Sequence, residues 1–182
     1  MSGIYLSTLP VSAKVFCTLF LIGIGAGAVA AFVQTATAVG LSPAEVRSSL
    51  APDMPMTHMG HGETSAEKEI DLGEISQTAK VWIRTPLLIQ TSHTHLFGQT
   101  LIAGLLGLIF LFSRLPEAAK SAILALPFVG TLIDIGGMWL TRFVWPDLAV
   151  LVVVGGSLFG LGYVVITAVS LWELWLGKAV PA

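Results

Sequence analysis

The sequence predicts an all-α fold: an integral membrane four-helix bundle with a polar outer loop containing short helices. Three observations predict it. Of 182 residues, 54% are hydrophobic and 11% charged, where a soluble globular domain carries about 25% charged residues. Mean hydropathy is +0.84. Four apolar stretches each reach the roughly 20 residues that an α-helix needs to cross the hydrocarbon core. The same composition excludes whole classes of function. Nine Lys/Arg against eleven Asp/Glu, net −2, leave no basic stripe for phosphates and so no nucleic acid partner. One Cys excludes a disulfide framework and a Cys-rich zinc site. Without a nucleophile elbow, a phosphate loop or a carboxylate dyad, autonomous catalysis is not expected.

The predicted spans lie within one membrane domain, residues 1–182. The first, Val15–Val39, is uncharged and rich in Gly and Ala. Ala36-Thr37-Ala38 resembles a signal-peptide cleavage site, but the apolar run exceeds the about 7–15 residues of a signal peptide, so a retained anchor is expected. The second span runs from Pro86 to Ser113, with Thr85-Pro86 as N-cap and first-turn pair. The third runs from Ser121 to Thr141 and the fourth from Leu148 to Leu176. Short turns, Arg114–Lys120 and Arg142–Asp147, make the last three spans antiparallel neighbours. In the long loop, residues 40–85, Ser42-Pro43-Ala44-Glu45 is a capping box that predicts a short helix to Leu50. Ile75, Ala79, Trp82 and Ile83 fall at helical spacing and predict an interfacial helix leading into the second span.

Charge sets the expected orientation in the lipid bilayer. Lys14, Arg114, Lys120 and Lys178 share one side close to helix ends, which places both termini in the cytoplasm. Loop 40–85 is then periplasmic, in a multi-pass protein of the bacterial cytoplasmic (inner) membrane. Trp82, Trp139 and Trp145 would mark the outer interface, Trp172 and Trp175 the inner. For helix packing, Gly23/Gly27 and Gly156/Gly160 form small-xxx-small pairs, with Gly104, Gly107, Gly130, Gly136 and Gly137 as further small sites. The fourth span, with little interior polarity beyond Ser157, Tyr163, Thr167 and Ser170, reads as scaffold.

The functional signal lies in polar residues that lipid should forbid. Nineteen of the twenty charges sit in loops, tails or at helix ends, Asp134 being the lone interior exception, and the second span carries Ser92-His93-Thr94-His95. Ionisable groups at such depth cost a few kcal/mol and mark functional sites by default. His93 and Asp134 each lie seven residues from the outer end of their span, about 10 Å deep at 1.5 Å per residue. Met138 is one turn from Asp134 on the same face. His93 and His95 are two residues apart, about 200° around the helix, so they cannot chelate one metal together. A neutral imidazole is nevertheless the commonest metal ligand, its second nitrogen often held by a carboxylate, the role open to Asp134. Three readings stay open: a histidine–aspartate contact pinning two spans together, a haem or other metal, and a quinone or proton site.

His93-Thr94-His95-Leu96-Phe97-Gly98, followed by Gly104 and Gly107, resembles the His-x-His helix of the haem-copper oxidase and nitric oxide reductase catalytic subunits. In those families the two histidines hold two haems on opposite sides of one helix. The likeness covers one helix. This chain has four spans rather than twelve and no histidine in the others, so the resemblance implies only His93 and His95 as axial ligands. The whole chain is also similar to small four-span bacterial membrane proteins with an HTHL-type second helix.

Met54-Pro55-Met56-Thr57-His58-Met59-Gly60-His61 forms a second candidate, with three of the five Met and two of the four His. Thioether and imidazole together favour copper, and Met selects Cu(I). Three functions follow as expectations. The first is an electron-transfer protein with haem b at His93 and His95, exchanging electrons with quinol or an external cytochrome. The second is a copper-handling protein using Met54, Met56, His58, Met59 and His61. The third is a structural subunit assembled with other subunits of a larger respiratory-type membrane complex.

Overall fold

Helix-capping chemistry decides where the helices begin. The computed structural model describes residues 4–50 and 85–177. Five α-helices account for most of them: α1 (Val11–Ala38), α2 (Pro43–Leu50), α3 (Thr85–Phe110), α4 (Glu117–Phe143) and α5 (Ala149–Trp175). Single 3₁₀ turns, Leu6–Thr8 and Pro146–Leu148, precede α1 and α5. The all-α bundle is as expected, and four of the helices are long and apolar enough to cross a membrane.

The span ends differ from the apolar runs. Helices α1 and α4 each start four residues before the predicted Val15 and Ser121, at Val11 and Glu117. Pro10 and Pro116 stand at the N-caps with extended backbone, where their missing N–H sacrifices no helical hydrogen bond. The extensions carry Lys14, Glu117 and Lys120, whose charges end an apolar count but not a helix. Lys120 buries its stem and places its ammonium 2.5 Å from Glu117 and 3.5 Å from the Leu111 carbonyl. At its other end α3 stops at Phe110 rather than Ser113, because Phe112 and Ser113 donate to carbonyls three residues back and tighten the last turn.

The tightest packing joins α4 to α5. Gly130 and Gly137 lie seven residues apart on α4, as do Gly155 and Gly162 on α5. A Cβ on Gly130 would stand 2.5 Å from the Phe159 nitrogen, and one on Gly137 2.8 Å from the Val152 nitrogen. On Gly155 it would collide with the Asp134 backbone, and on Gly162 it would stand 2.6 Å from Pro127 Cδ. The two backbones therefore touch, as small residues permit in lipid. The predicted pairs Gly23/Gly27 and Gly156/Gly160 take no part: a Cβ on any of them meets nothing within 4 Å. Spacing shows which small residues share a face but not which face is packed, and Gly155 and Gly156 point about 100° apart.

Around this pair, α3 packs on α4 and α5, while α1 lies outermost with only Leu21 buried. Leu6, Leu21, Leu106, Phe110, Tyr163, Ile166 and Leu174 form the core at the Arg114 end. At the opposite end α2 covers the bundle, burying Val46 and Leu50 against Leu88 and Ala149. The capping box forms as expected: Glu45 Oε2 accepts from the Ser42 nitrogen at 3.1 Å and Ser42 Oγ from the Glu45 nitrogen at 3.3 Å. Gly40 makes the α1–α2 turn at φ 97°, and a Cβ there would strike Glu45. Arg47 pairs with Asp147 at 2.7 Å, and Arg142 donates to the Leu50 carbonyl at 2.8 Å. The predicted interfacial helix through Ile75, Ala79, Trp82 and Ile83 lies outside the described residues.

Candidate functional site

Helix α3 turns one face inward through Leu88, Ser92, His95, Gln99, Ala103, Leu106 and Phe110, the three- and four-residue steps that keep one side of a helix in register. Three of these are polar. Ser92 Oγ donates to the Leu88 carbonyl at 2.8 Å and accepts from Trp139 Nε1 at 2.8 Å. One turn on, His95 Nδ1 stands 4.0 Å from Asp134 Oδ2 on α4. That separation exceeds the about 2.7–3.2 Å of a direct hydrogen bond, and Nδ1 is buried without a partner. The His95 side chain as a whole is 40% exposed, that of Asp134 only 8%. Another turn on, Gln99 adjoins Asp134, and its own Oε1 is buried without a partner. Gly155 fixes Asp134 from behind by letting α5 press against its backbone.

Of the two histidines, then, His95 meets the carboxylate. His93 lies on the exposed face, its ring 4.9 Å from Phe97, which is 70% exposed. The two point to different sides, as the two-residue spacing requires. Met138 shares the Asp134 face but packs into the apolar cluster of Val46, Leu50, Leu88 and Ala149. Thr131 and Thr141 donate to the Pro127 and Gly137 carbonyls of their own helix, leaving no free proton for the site. Met54, Met56, His58, Met59 and His61 lie outside the described residues. Among the described residues no group of three or more His, Cys, Asp or Glu side chains could hold a metal ion.

Chemically, the cluster offers one imidazole whose Nδ1 faces a fixed carboxylate, a carboxamide with a spare acceptor, and an imidazole Nε2 not engaged by Asp134. Such a set can hold or pass a proton, or present Nε2 to a ligand while the carboxylate orients the ring.

Sequence reasoning missed a second buried carboxylate. Glu173 on α5 is 7% exposed, and both its oxygens lie 3.0 Å from the Arg114 backbone nitrogen. It counted as a helix-end charge because the span ends three residues later. The overlooked signal is its register, since Tyr163, Thr167, Ser170 and Glu173 descend one face of α5. Arg114 in turn donates to Ser7 and places its guanidinium 5.5 Å from the Tyr5 ring centroid, which ties the N-terminal segment to the same end.

Comparison with known proteins places the chain at the level of a family. No curated protein and no solved structure matches it, and nothing in these comparisons supports the likeness of His93–Gly98 to the haem-copper oxidases. The family Aq_1264_TM, described as a transmembrane helical domain, matches residues 80–181. That stretch contains α3, α4 and α5, the three helices that form the bundle interior and both buried carboxylates; α1 precedes it. Matched over more than half its length, the chain belongs to the Aq_1264_TM family of transmembrane helical domains.

Proposed function

We propose that the chain is a membrane-embedded redox protein that binds a b-type haem through His95 and exchanges electrons with quinol or an external partner. One observation carries this reading: an imidazole inside a span turns Nδ1 toward a buried carboxylate at 4.0 Å. A carboxylate in that position selects the tautomer, raises ligand basicity and leaves Nε2 as the ligating atom. Burial and axial-ligand identity would then tune the potential of the iron, which supplies the one-electron chemistry. Asp134, held by Gly155, and Gln99 would keep the ring oriented.

The test is an absorption spectrum, with pyridine haemochrome assay, of full-length protein purified from haem-replete cells. The expected result is a Soret band with a reduced α-band that His95→Ala removes and His93→Ala leaves. In Asp134→Asn the midpoint potential should shift. A colourless preparation, or a spectrum indifferent to His95→Ala, overturns the reading.

Helix α1 favours a second reading, a non-catalytic subunit of a larger membrane complex. Only Leu21 of it is fully buried, and Gly23 and Gly27 face open space as small residues awaiting another helix would. Co-purification with other subunits, unaffected by His95→Gln, would support it; a monodisperse single chain carrying haem would refute it.

A further inference from the structure

Seven buried side-chain polar atoms among the described residues have no hydrogen-bond partner. Two, on His95 and Gln99, belong to the site already described. The other five gather in the Arg114 half of the bundle. Tyr163 OH, Thr167 Oγ1 and Ser170 Oγ occupy successive turns of α5, and Thr167 adjoins the Tyr163 phenol. Ser113 Oγ and Arg114 Nε belong to the segment whose backbone Glu173 binds. Tyr163 stands twelve residues before the end of α5 at Trp175, about 18 Å. The row therefore climbs to the middle of a hydrocarbon core about 30 Å thick.

Helix α1 touches α5 at both ends of this row. Below it, Trp175 Nε1 donates to Thr18 Oγ1 at 3.0 Å. Above it, the phenol stops against Gly25, where a Cβ would stand 3.6 Å from the Tyr163 oxygen and meet nothing else within 4 Å. The absent side chain leaves open space beside an unpaired hydroxyl. Other hydroxyls in the spans behave differently. Ser92, Thr94, Thr131, Thr141 and Ser157 each donate to the carbonyl four residues back, the ordinary solution in an apolar helix. Thr167 and Ser170 do not, although Ser170 is 0% exposed. The Tyr163 phenol is too long to turn back on its own helix. Buried polar groups left unpaired forfeit their hydration with no return, and ordered water with two to four polar partners is the usual resolution.

We infer that bound water occupies this row, as a dead-ended aqueous crevice that opens at the Arg114 end and stops at Tyr163 beside Gly25. Water is the ligand whose chemistry fits. The Thr167, Ser170, Ser113 and Tyr163 hydroxyls both donate and accept, while Arg114 Nε donates. An apolar ligand would leave all five unpaired. A metal cation would meet the Arg114 guanidinium at the mouth, where both Glu173 oxygens already face the Arg114 backbone nitrogen. The crevice gives a side chain at mid-membrane contact with solvent from one side only, with α1 as its wall. It is independent of whatever His95 holds.

Millisecond hydroxyl-radical footprinting of the full chain in lipid nanodiscs tests it, because radicals formed from bound water label the side chains that touch it. Phe110, 0% exposed in the same apolar cluster as Tyr163, is the dry internal standard. Tyr163 should be modified several-fold faster than Phe110; equal rates overturn the inference. The Thr167→Val/Ser170→Ala variant keeps both shapes and should bring the Tyr163 rate down several-fold, toward that of Phe110. An unchanged rate would mean that radicals reach the phenol from elsewhere, and it too overturns the row. Gly25→Ala, which fills the space beside the phenol without a clash, should also slow Tyr163 labelling. Gly23→Ala, whose Cβ meets nothing within 4 Å, should leave it as it is. Equal effects of the two alanines would remove Gly25 as the end of the crevice and overturn the inference.

Discussion

Replacing Gly155 with Ala is the sharpest test of how the bundle closes. The added Cβ would stand 2.6 Å from Asp134 Cα and 2.8 Å from the Gly130 oxygen, against ordinary contact from 3.4 Å. All the obstacles are backbone, the Asp134 nitrogen standing closer still, so no side chain can swing away, and α4 must part from α5 by about 1 Å over a seam where glycines hold it. Overpacking of that kind costs about 1–3 kcal/mol, or about 5- to 150-fold in the folding equilibrium. Gly156→Ala is the matched control, one residue away with nothing within 4 Å of its Cβ. There the gain in helix propensity, about 0.5–1 kcal/mol, acts alone. Reversible unfolding in mixed detergent–SDS micelles, followed by circular dichroism, should separate the two variants by about 1.5–4 kcal/mol. Equal midpoints would refute the backbone contact, and with it the clamp that fixes Asp134.

Further expectations follow from single contacts. Glu173→Ala leaves the partly buried Arg114 N–H without its acceptor and should cost about 1–3 kcal/mol in the same assay, whereas Glu173→Gln keeps an acceptor and should cost less. Ser42→Ala breaks the capping box and should destabilise α2 by about 1 kcal/mol, read as faster amide exchange over Pro43–Leu50 with the spans unchanged. Trp139→Phe removes the bond to Ser92 between α4 and α3, worth about 0.6 kcal/mol on the average for interhelical bonds in membranes. Arg47→Ala, at an exposed ion pair, should change stability by less than about 1 kcal/mol, and by nothing measurable in high salt.

Hydropathy made the four spans legible, because bilayer thickness imposes a length that few other structures require. The Ser42–Glu45 box was equally legible, since its chemistry is local. Span ends were less so: Lys14, Glu117 and Lys120 interrupt an apolar count while the helix continues to the proline before it. Which glycines pack was not legible at all, because Gly155 and Gly156 differ only in direction and direction is set by the partner helix. The site was legible in part. Depth alone brought Asp134 to the level of the histidines, and the two-residue spacing separated their directions. Only the α3–α4 contact decides that His95, and not His93, faces the carboxylate. Glu173 hid at a helix end, where a charge is ordinarily solvated and carries no information.

Whether the row from Tyr163 to Glu173 on α5 is wet can be read from the sign of a stability change. In a dry interior, Thr167 and Ser170 each leave a hydroxyl unpaired. Exchanging them for Val and Ala then removes an unmet polar group at nearly constant shape, which is neutral or stabilising, by up to about 1–3 kcal/mol for each group relieved. In a hydrated row those hydroxyls hold water, and the exchange instead strips partners from a bound molecule that Tyr163 and its neighbours also use. The loss then equals one or two net hydrogen bonds, about 0.5–1.5 kcal/mol each, in the destabilising direction. A hydrated row therefore predicts that the Thr167→Val/Ser170→Ala variant unfolds at a lower SDS fraction than the parent chain. A higher midpoint would mean that the row is dry and that these hydroxyls merely tolerate their position.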